Sequence, residues 1–271
     1  MKFKLFLLFL FPISLYAQDN FEKTFKDYNV AGSITIYDLD KDIWIYSNEE
    51  DSKIGTLPAS TFKIINSLIA LQTGVIKDEK QLIKWVGINN VDTNLYGYRP
   101  DTYKNMSLAE AFDKSAVWVY LEIAKRIGKE KYKSYLKLCG YGNLDLSEQG
   151  VDFWNFGNFK ITPVEQINFL RKLYEGQLPF SKRVMNIVKK MMITEISDNY
   201  VIRAKTGMGV LDNSCIGWWV GYVEKKDNGG TYFFATRIRN NSSFYSAKFA
   251  QDRKDLTKNI LKQLNILEIQ Y

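Results

Sequence analysis

Leu57-Pro58-Ala59-Ser60-Thr61-Phe62-Lys63 runs into Ile64-Ile65-Asn66-Ser67-Leu68-Ile69-Ala70-Leu71, and this stretch decides how the rest of the chain is read. Apolar residues recur at Phe62, Ile65, Leu68 and Ile69, the period of a helix with a buried face, over Pro58 to Leu71, and Gly74 is placed to end it. Ser60 therefore opens a buried helix, and Lys63 lies one turn further on the same face. A hydroxyl and an amine so placed can act as a nucleophile and its base, although the spacing alone does not single them out. Ser134-Tyr135-Leu136-Lys137 repeats the spacing, but among Lys131, Lys133 and Lys137 it reads as a solvated face.

On the N-terminal side, a short helical lead over Asn20 to Tyr28 precedes an alternating run from Gly32 to Asp38, answered by Ile43 to Tyr46 as a β-hairpin. Downstream, the middle of the chain is helical. Ser107-Leu108-Ala109-Glu110 carries a capping-box signature, and helices are predicted over Val119–Ile127, Glu130–Leu138, Ile161–Tyr174 and near Ser181–Met192. Strands then return at Val201–Lys205, Ile216–Val223 and Thr231–Ile238, with a turn at Lys226–Gly230, and a helix over Asp252–Leu264 closes the chain. Strands at both ends and helices between them imply an α+β fold, an α/β/α sandwich. Its mixed or antiparallel central sheet would join N- and C-terminal strands, with helices on both faces and a helical insertion carrying much of the site.

Met1-Lys2-Phe3-Lys4 followed by an apolar run ending at Ala17 reads as an export signal over residues 1–17, leaving one catalytic domain over 18–271. The run is too short to span a bilayer comfortably, so no membrane attachment is expected after its removal, and the product is expected in the periplasm or secreted. The net charge of +7 is scattered rather than gathered into a basic block, which gives no support to nucleic-acid binding and suits small anionic substrates. A monomer or weak homodimer is expected.

The chain contains no histidine, which removes Ser-His-Asp triads, Cys-His pairs and His-ligated zinc together; no metal is expected. Cys139 and Cys215 both sit among apolar neighbours and read as buried free thiols rather than a disulfide.

Lys205-Thr206-Gly207 occurs once, on a strand, where glycine lets a ligand lie against the backbone. S-x-x-K followed by a serine-bearing loop and K-T-G is the order found in penicillin-recognising enzymes. Pro58-Ala59-Ser60-Thr61-Phe62-Lys63, Ser115-Ala116-Val117, Tyr141-Gly142-Asn143, Phe153-Trp154 and Lys205-Thr206-Gly207 together resemble the class D (oxacillinase-type) serine β-lactamases over nearly the whole mature chain. Gly217-Trp218-Trp219-Val220-Gly221 is similar to the strand that follows K-T-G there. Two other activities share this fold: a penicillin-binding peptidase or transpeptidase, and a non-hydrolysing β-lactam sensor. Val117, where the peptidases usually carry asparagine, and Tyr141-Gly142-Asn143 argue against the peptidase, while sensors are normally joined to membrane helices.

The resemblance implies hydrolysis of β-lactam antibiotics through an acyl-enzyme on Ser60, and hence antibiotic resistance. It implies that Lys63 reacts with carbon dioxide to give N6-carboxylysine, a base for acylation and deacylation; no other cofactor is expected. Trp154 would hydrogen-bond the carbamate, with Val117 as an apolar wall. Ser115 would relay a proton to the leaving nitrogen, assisted by Lys205. Thr206, Gly207 and Met208 would line the substrate, with the N–H groups of Ser60 and Met208 as oxyanion donors. Arg253 would bind the substrate carboxylate, with Arg237 and Arg239 as rivals.

Overall fold

The computed structural model of the protein describes residues 13–211, 213–226, 229–240 and 246–268. Residues 1–12 of the expected export signal and part of the Lys226–Gly230 turn lie outside the described residues.

The central sheet is built from β1 (Ala31–Asp38), β2 (Ile43–Tyr46), β5 (Ile193–Ile196), β6 (Tyr200–Leu211), β7 (Ser214–Lys225) and β8 (Thr231–Asn240) in the order β2-β1-β8-β7-β6-β5; a short ribbon pairs β3 (Leu82–Ile83) with β4 (Met106–Ser107). Every pairing is antiparallel, so the mixed alternative falls away. The first long strand meets the last, with Ile36 opposite Phe234. Nine consecutive residues of β7 are buried, because helices cover both faces of the sheet and leave no wet side to alternate with.

The helices are α1 (Ile13–Asp27), α2 (Lys63–Gln72), α3 (Thr93–Tyr96), α4 (Leu108–Asp113), α5 (Val117–Ile127), α6 (Lys129–Cys139), α7 (Pro163–Glu175), α8 (Lys182–Met191) and α9 (Ala247–Gln263). α1 and α9 cover one face, where Phe21, Trp219, Phe234, Leu256 and Ile260 share a core. A larger core joins Phe62, Leu68, Val119, Leu170, Trp218 and Phe233 on the other face, beneath α2, α5, α7 and α8. Everything from α2 to α8 lies between β2 and β5 in sequence, the expected insertion.

Local chemistry explains most boundaries and several departures. The reciprocal capping box forms at Thr162 and Glu165, with Pro163 in the first turn. At Ser107 only half of the expected box exists: the hydroxyl accepts from the Glu110 amide, while the Glu110 carboxylate pairs with Lys104 instead. α9 begins at Ala247 rather than Asp252 because Ser246 caps it through the Phe249 amide. Cys139 and Cys215 are both free and buried.

Candidate active site

The sequence reading places Ser60 in an α-helix; the structure places it in a 3-10 turn, Ala59–Phe62, with Lys63 as the first residue of α2. The tighter turn brings residues three apart into line. Lys63 Nζ donates to Ser60 Oγ at 2.7 Å.

The turn is held on every side. Ala59 adopts a left-handed backbone (φ 49°), sparsely populated for a residue with a Cβ, and its amide donates to the Trp154 carbonyl at 3.0 Å. Thr61 Oγ1 donates to the Pro58 carbonyl at 2.7 Å and accepts from Gln166 Nε2 at 2.8 Å. Trp218 Nε1 donates to the Leu57 carbonyl at 3.0 Å, tying the segment to β7. Behind it, the Phe62 ring stacks on Trp154 (centroids 5.0 Å apart, planes within 6°) and meets Phe153, Phe159, Tyr132 and Tyr141 at steeper angles. The Tyr141-Gly142-Asn143 motif serves this frame: Tyr141 is wholly buried, and Asn143 Oδ1 accepts from the Lys160 amide at 3.0 Å.

Lys63 has no exposed surface. Burial penalises its ammonium and lowers its pKa to about 8, against the opposing pull of Asp152 and with a small push from Arg99. Lys205, 5% exposed on β6, donates through Nζ to Ser115 Oγ. Its pKa is held well below the ordinary lysine value by burial first, then by the charges of Lys63 and Arg253. Ser115 is another left-handed residue (φ 54°), in the tight corner between α4 and α5. Two serine–lysine pairs from three distant segments thus converge. By contrast Ser134 and Lys137 are exposed on α6, as expected.

Ser60, Val117 and Met208 line one cleft of about 490 Å³, together with Leu95, Tyr96 and Asn155. Gly207 is where β6 touches the Ala59–Phe62 turn: a Cβ there would lie 2.8 Å from the Pro58 carbonyl oxygen. Thr206 lines a neighbouring recess with Lys205, Phe112, Asp113 and Lys254. Arg253 approaches from α9, mostly buried, and its Nη1 donates to the Gly207 carbonyl at 2.7 Å. Burial depresses its pKa to about 10, and among the described residues no carboxylate pairs with it. The rivals are otherwise engaged: Arg237 and Arg239 both pair with Asp51, at 2.7 and 3.0 Å.

Trp154 is wholly buried and its Nε1–H has no partner among the described residues. A buried donor left unpaired is costly, so the atom suits an acceptor brought to it. A buried amine with a depressed pKa at Lys63 and a buried indole donor at Trp154 are the two features that a carbamate on Lys63 Nζ would call for. Sequence reasoning missed Asp152 and Asn155. The only local sign was an acid inside an otherwise apolar run, Val151-Asp152-Phe153-Trp154.

The Penicillin binding protein transpeptidase domain model matches residues 26–262. Beta-lactamase OXA-48 of Klebsiella pneumoniae is 39% identical over 243 residues, covering 90% of this chain and 87% of its own. The probable beta-lactamase YbxI of Bacillus subtilis (strain 168) is 34% identical over 249 residues, covering 92% and 85%. Among solved structures, a class D beta-lactamase from Sebaldella termitidis superposes with a TM-score of 0.85 at 44% identity, covering 92% of this chain and 97% of that one. With the two serine–lysine pairs and the antiparallel sheet, these likenesses assign the chain to the penicillin-binding transpeptidase family and, within it, to the class D β-lactamases.

Proposed function

We propose that the protein hydrolyses the β-lactam amide through an acyl-enzyme on Ser60, with Lys63 as the base that serves both half-reactions. β-Lactam hydrolysis, and with it antibiotic resistance, is the activity of the class to which the chain belongs. The observation that carries the finer reading is the 2.7 Å contact from a fully buried Lys63 Nζ to Ser60 Oγ, in a chain without histidine.

Lys63, once neutral, takes the proton from Ser60 Oγ as that oxygen attacks the lactam carbonyl carbon. The N–H groups of Ser60 and Met208 receive the developing oxyanion, each worth roughly 3 kcal/mol in comparable sites. Ser115 gives a proton to the lactam nitrogen as the C–N bond breaks and takes in its place the proton that Lys63 removed from Ser60, which leaves Lys63 neutral again; Lys205 supports Ser115 electrostatically. Arg253, with Lys205 and Thr206, receives the substrate carboxylate; a guanidinium that no carboxylate pairs with among the described residues suits that role. In the second half-reaction water loses a proton to Lys63 as its oxygen attacks the ester carbon, and Lys63 passes that proton to Ser60 Oγ as the C–O bond breaks.

A carbamate formed from Lys63 and carbon dioxide would supply an anionic base in place of the amine. Trp154 Nε1–H would donate to it, while Phe62 and Val117 limit the access of water. The export signal read over residues 1–17 would place a monomer or weak homodimer in the periplasm or medium, free of the membrane; among the described residues no helix is long and apolar enough to cross one.

The test is turnover of nitrocefin and oxacillin by the protein and by Lys63→Ala, with and without bicarbonate. Turnover raised by bicarbonate and abolished in Lys63→Ala supports the proposal. Stoichiometric acylation of Ser60 without turnover, at saturating bicarbonate, would replace it with a sensor or penicillin-binding role.

A further inference from the structure

Asp152 is 5% exposed, yet among the described residues no lysine or arginine lies within ion-pair reach of it. Its carboxylate is used in another way. Tyr96 Oη donates to Oδ2 at 2.8 Å, and Asn155 Nδ2 reaches both oxygens, at 2.9 and 3.0 Å. The amides of Asn155 and Phe156 donate to the Asp152 carbonyl, each at 3.2 Å, closing a turn on the carboxylate. The Tyr96 ring lies 6.0 Å from that of Phe156.

These contacts join segments that no secondary structure connects. Leu95 and Tyr96 belong to α3, a single turn capped by Asp92; Asn155 and Phe156 follow Trp154 in a separate loop. Both pairs line the cleft that contains Ser60, across from Met208 to Val210 of β6, so the junction of the two loops forms part of its rim. Apart from the single turn of α3, neither segment has a regular element to fix it there. A buried carboxylate is costly to keep, and its two oxygens are satisfied by residues of the two loops.

We propose that Asp152 is a positioning residue: with Tyr96 and Asn155 it clasps together the two loops that line the cleft and so sets how bulky an acyl side chain the enzyme admits. The inference rests on Ser60 being the nucleophile of this cleft. The groups facing Asp152 are Tyr96 from α3, Lys63 from α2 and Glu148 from its own loop. Burial, outweighing the bonds from Asn155 and Tyr96 and the charge of Lys63, lifts the pKa of Asp152 to about 6. A protonated carboxyl has one fewer oxygen free to accept, so the clasp slackens as pH falls through that value.

The experiment compares the full chain with Tyr96→Phe and Asp152→Asn, measuring kcat and KM for benzylpenicillin and for the bulkier oxacillin from pH 5 to pH 8. Mass spectrometry of each acylated protein locates the adduct, so an adduct away from Ser60 disproves the nucleophile assignment and the proposal with it, whereas an adduct on Ser60 leaves the clasp to be judged alone. The quantity read is kcat/KM for oxacillin divided by kcat/KM for benzylpenicillin, in which the titration of Lys63 common to both substrates cancels. At pH 8 this ratio should change at least fivefold in each variant that folds, through KM, and the wild-type ratio should drift toward theirs below pH 6 while theirs stays flat. A ratio within fivefold of wild type in the variants at pH 8, or a change carried by kcat equally for both substrates, overturns the clasp.

Discussion

The Arg253 guanidinium, on the last helix, donates through Nη1 to the carbonyl oxygen of Gly207 at 2.7 Å, on the strand that borders the nucleophile. One cation therefore fixes the backbone of β6, and under the proposed function its other donors meet the substrate carboxylate. Replacing Arg253 with alanine should raise KM for penicillins at least tenfold, with a smaller fall in kcat. Arg253→Lys should recover only part of it, because an ammonium lacks the planar fork; steady-state kinetics on benzylpenicillin decides.

Gly207 is the point of closest approach between β6 and the nucleophile turn. In Gly207→Ala the new methyl would meet the Pro58 carbonyl oxygen at 2.8 Å and Thr61 Cγ2 at 3.0 Å, both parts of a pinned segment. The strand must retreat from Ser60, and a displacement near 1 Å costs on the order of 100-fold in rate. Stopped-flow acylation should show that loss; a rate within threefold of wild type would remove Gly207 from the positioning of the site.

The depressed pKa of Lys63 gives acylation a definite pH dependence. Below about 8 its amine is mostly protonated and cannot accept from Ser60. In bicarbonate-free buffer the acylation rate should rise nearly tenfold per pH unit from 6 to 7 and level off above 8. Its stability effect has the same sign: a lysine with a lowered folded pKa destabilises the fold below that value, and the penalty lifts as pH rises from 8 toward 10.5.

Asp152 works in the opposite direction. Its folded pKa, about 6 against an ordinary 3.8, contributes stability present below the ordinary value and lost as pH rises through 6. Asp152→Asn avoids that loss, so its melting temperature relative to wild type should be higher at pH 8 than at pH 4. The free-energy difference should be of order 1–3 kcal/mol. Calorimetry at the two pH values checks it, and an equal offset at both would refute the charge penalty.

Trp154→Phe keeps an aromatic ring against Phe62 and deletes the unpartnered Nε1–H. The bicarbonate concentration for half-maximal turnover should rise at least tenfold, and the 13C carbamate signal of Lys63 should weaken in parallel. Full carbamylation in Trp154→Phe would dismiss the indole as its donor.

Much of this site was legible in the sequence because its chemistry sits in short local patterns. Ser60 and Lys63 are three residues apart, and Ser115 and Lys205 were marked by their own motifs. Helix borders followed caps such as Ser181 and Thr162, which act within four residues. The edge strand β5 escaped notice: Ile193-Thr194-Glu195-Ile196 is short, and no turn signal separates it from α8. The region of Tyr96 to Tyr98 reads as lining the mouth of the site, and Tyr96 does line the cleft, but its bond to Asp152 escaped because 56 residues separate the two and a hydrogen bond between two loops leaves no periodic trace. For the arginines the reverse held: all three were visible, but only the fold shows that Asp51 engages Arg237 and Arg239.

The pairing of β1 with β8 has a consequence for the order of assembly. A ribosome delivers Ala31–Asp38, the nucleophile turn and the whole helical insertion before Thr231–Asn240, the strand that separates β1 from β7, has been made. Until then Ile34 and Ile36 have a partner strand on one side only, and Ser60 has no fixed wall opposite. Contacts of such long sequence separation are slow to form and leave sticky surface waiting. A product truncated before residue 231 would therefore contain Ser60, Lys63, Ser115 and Lys205 and no completed sheet to hold them together.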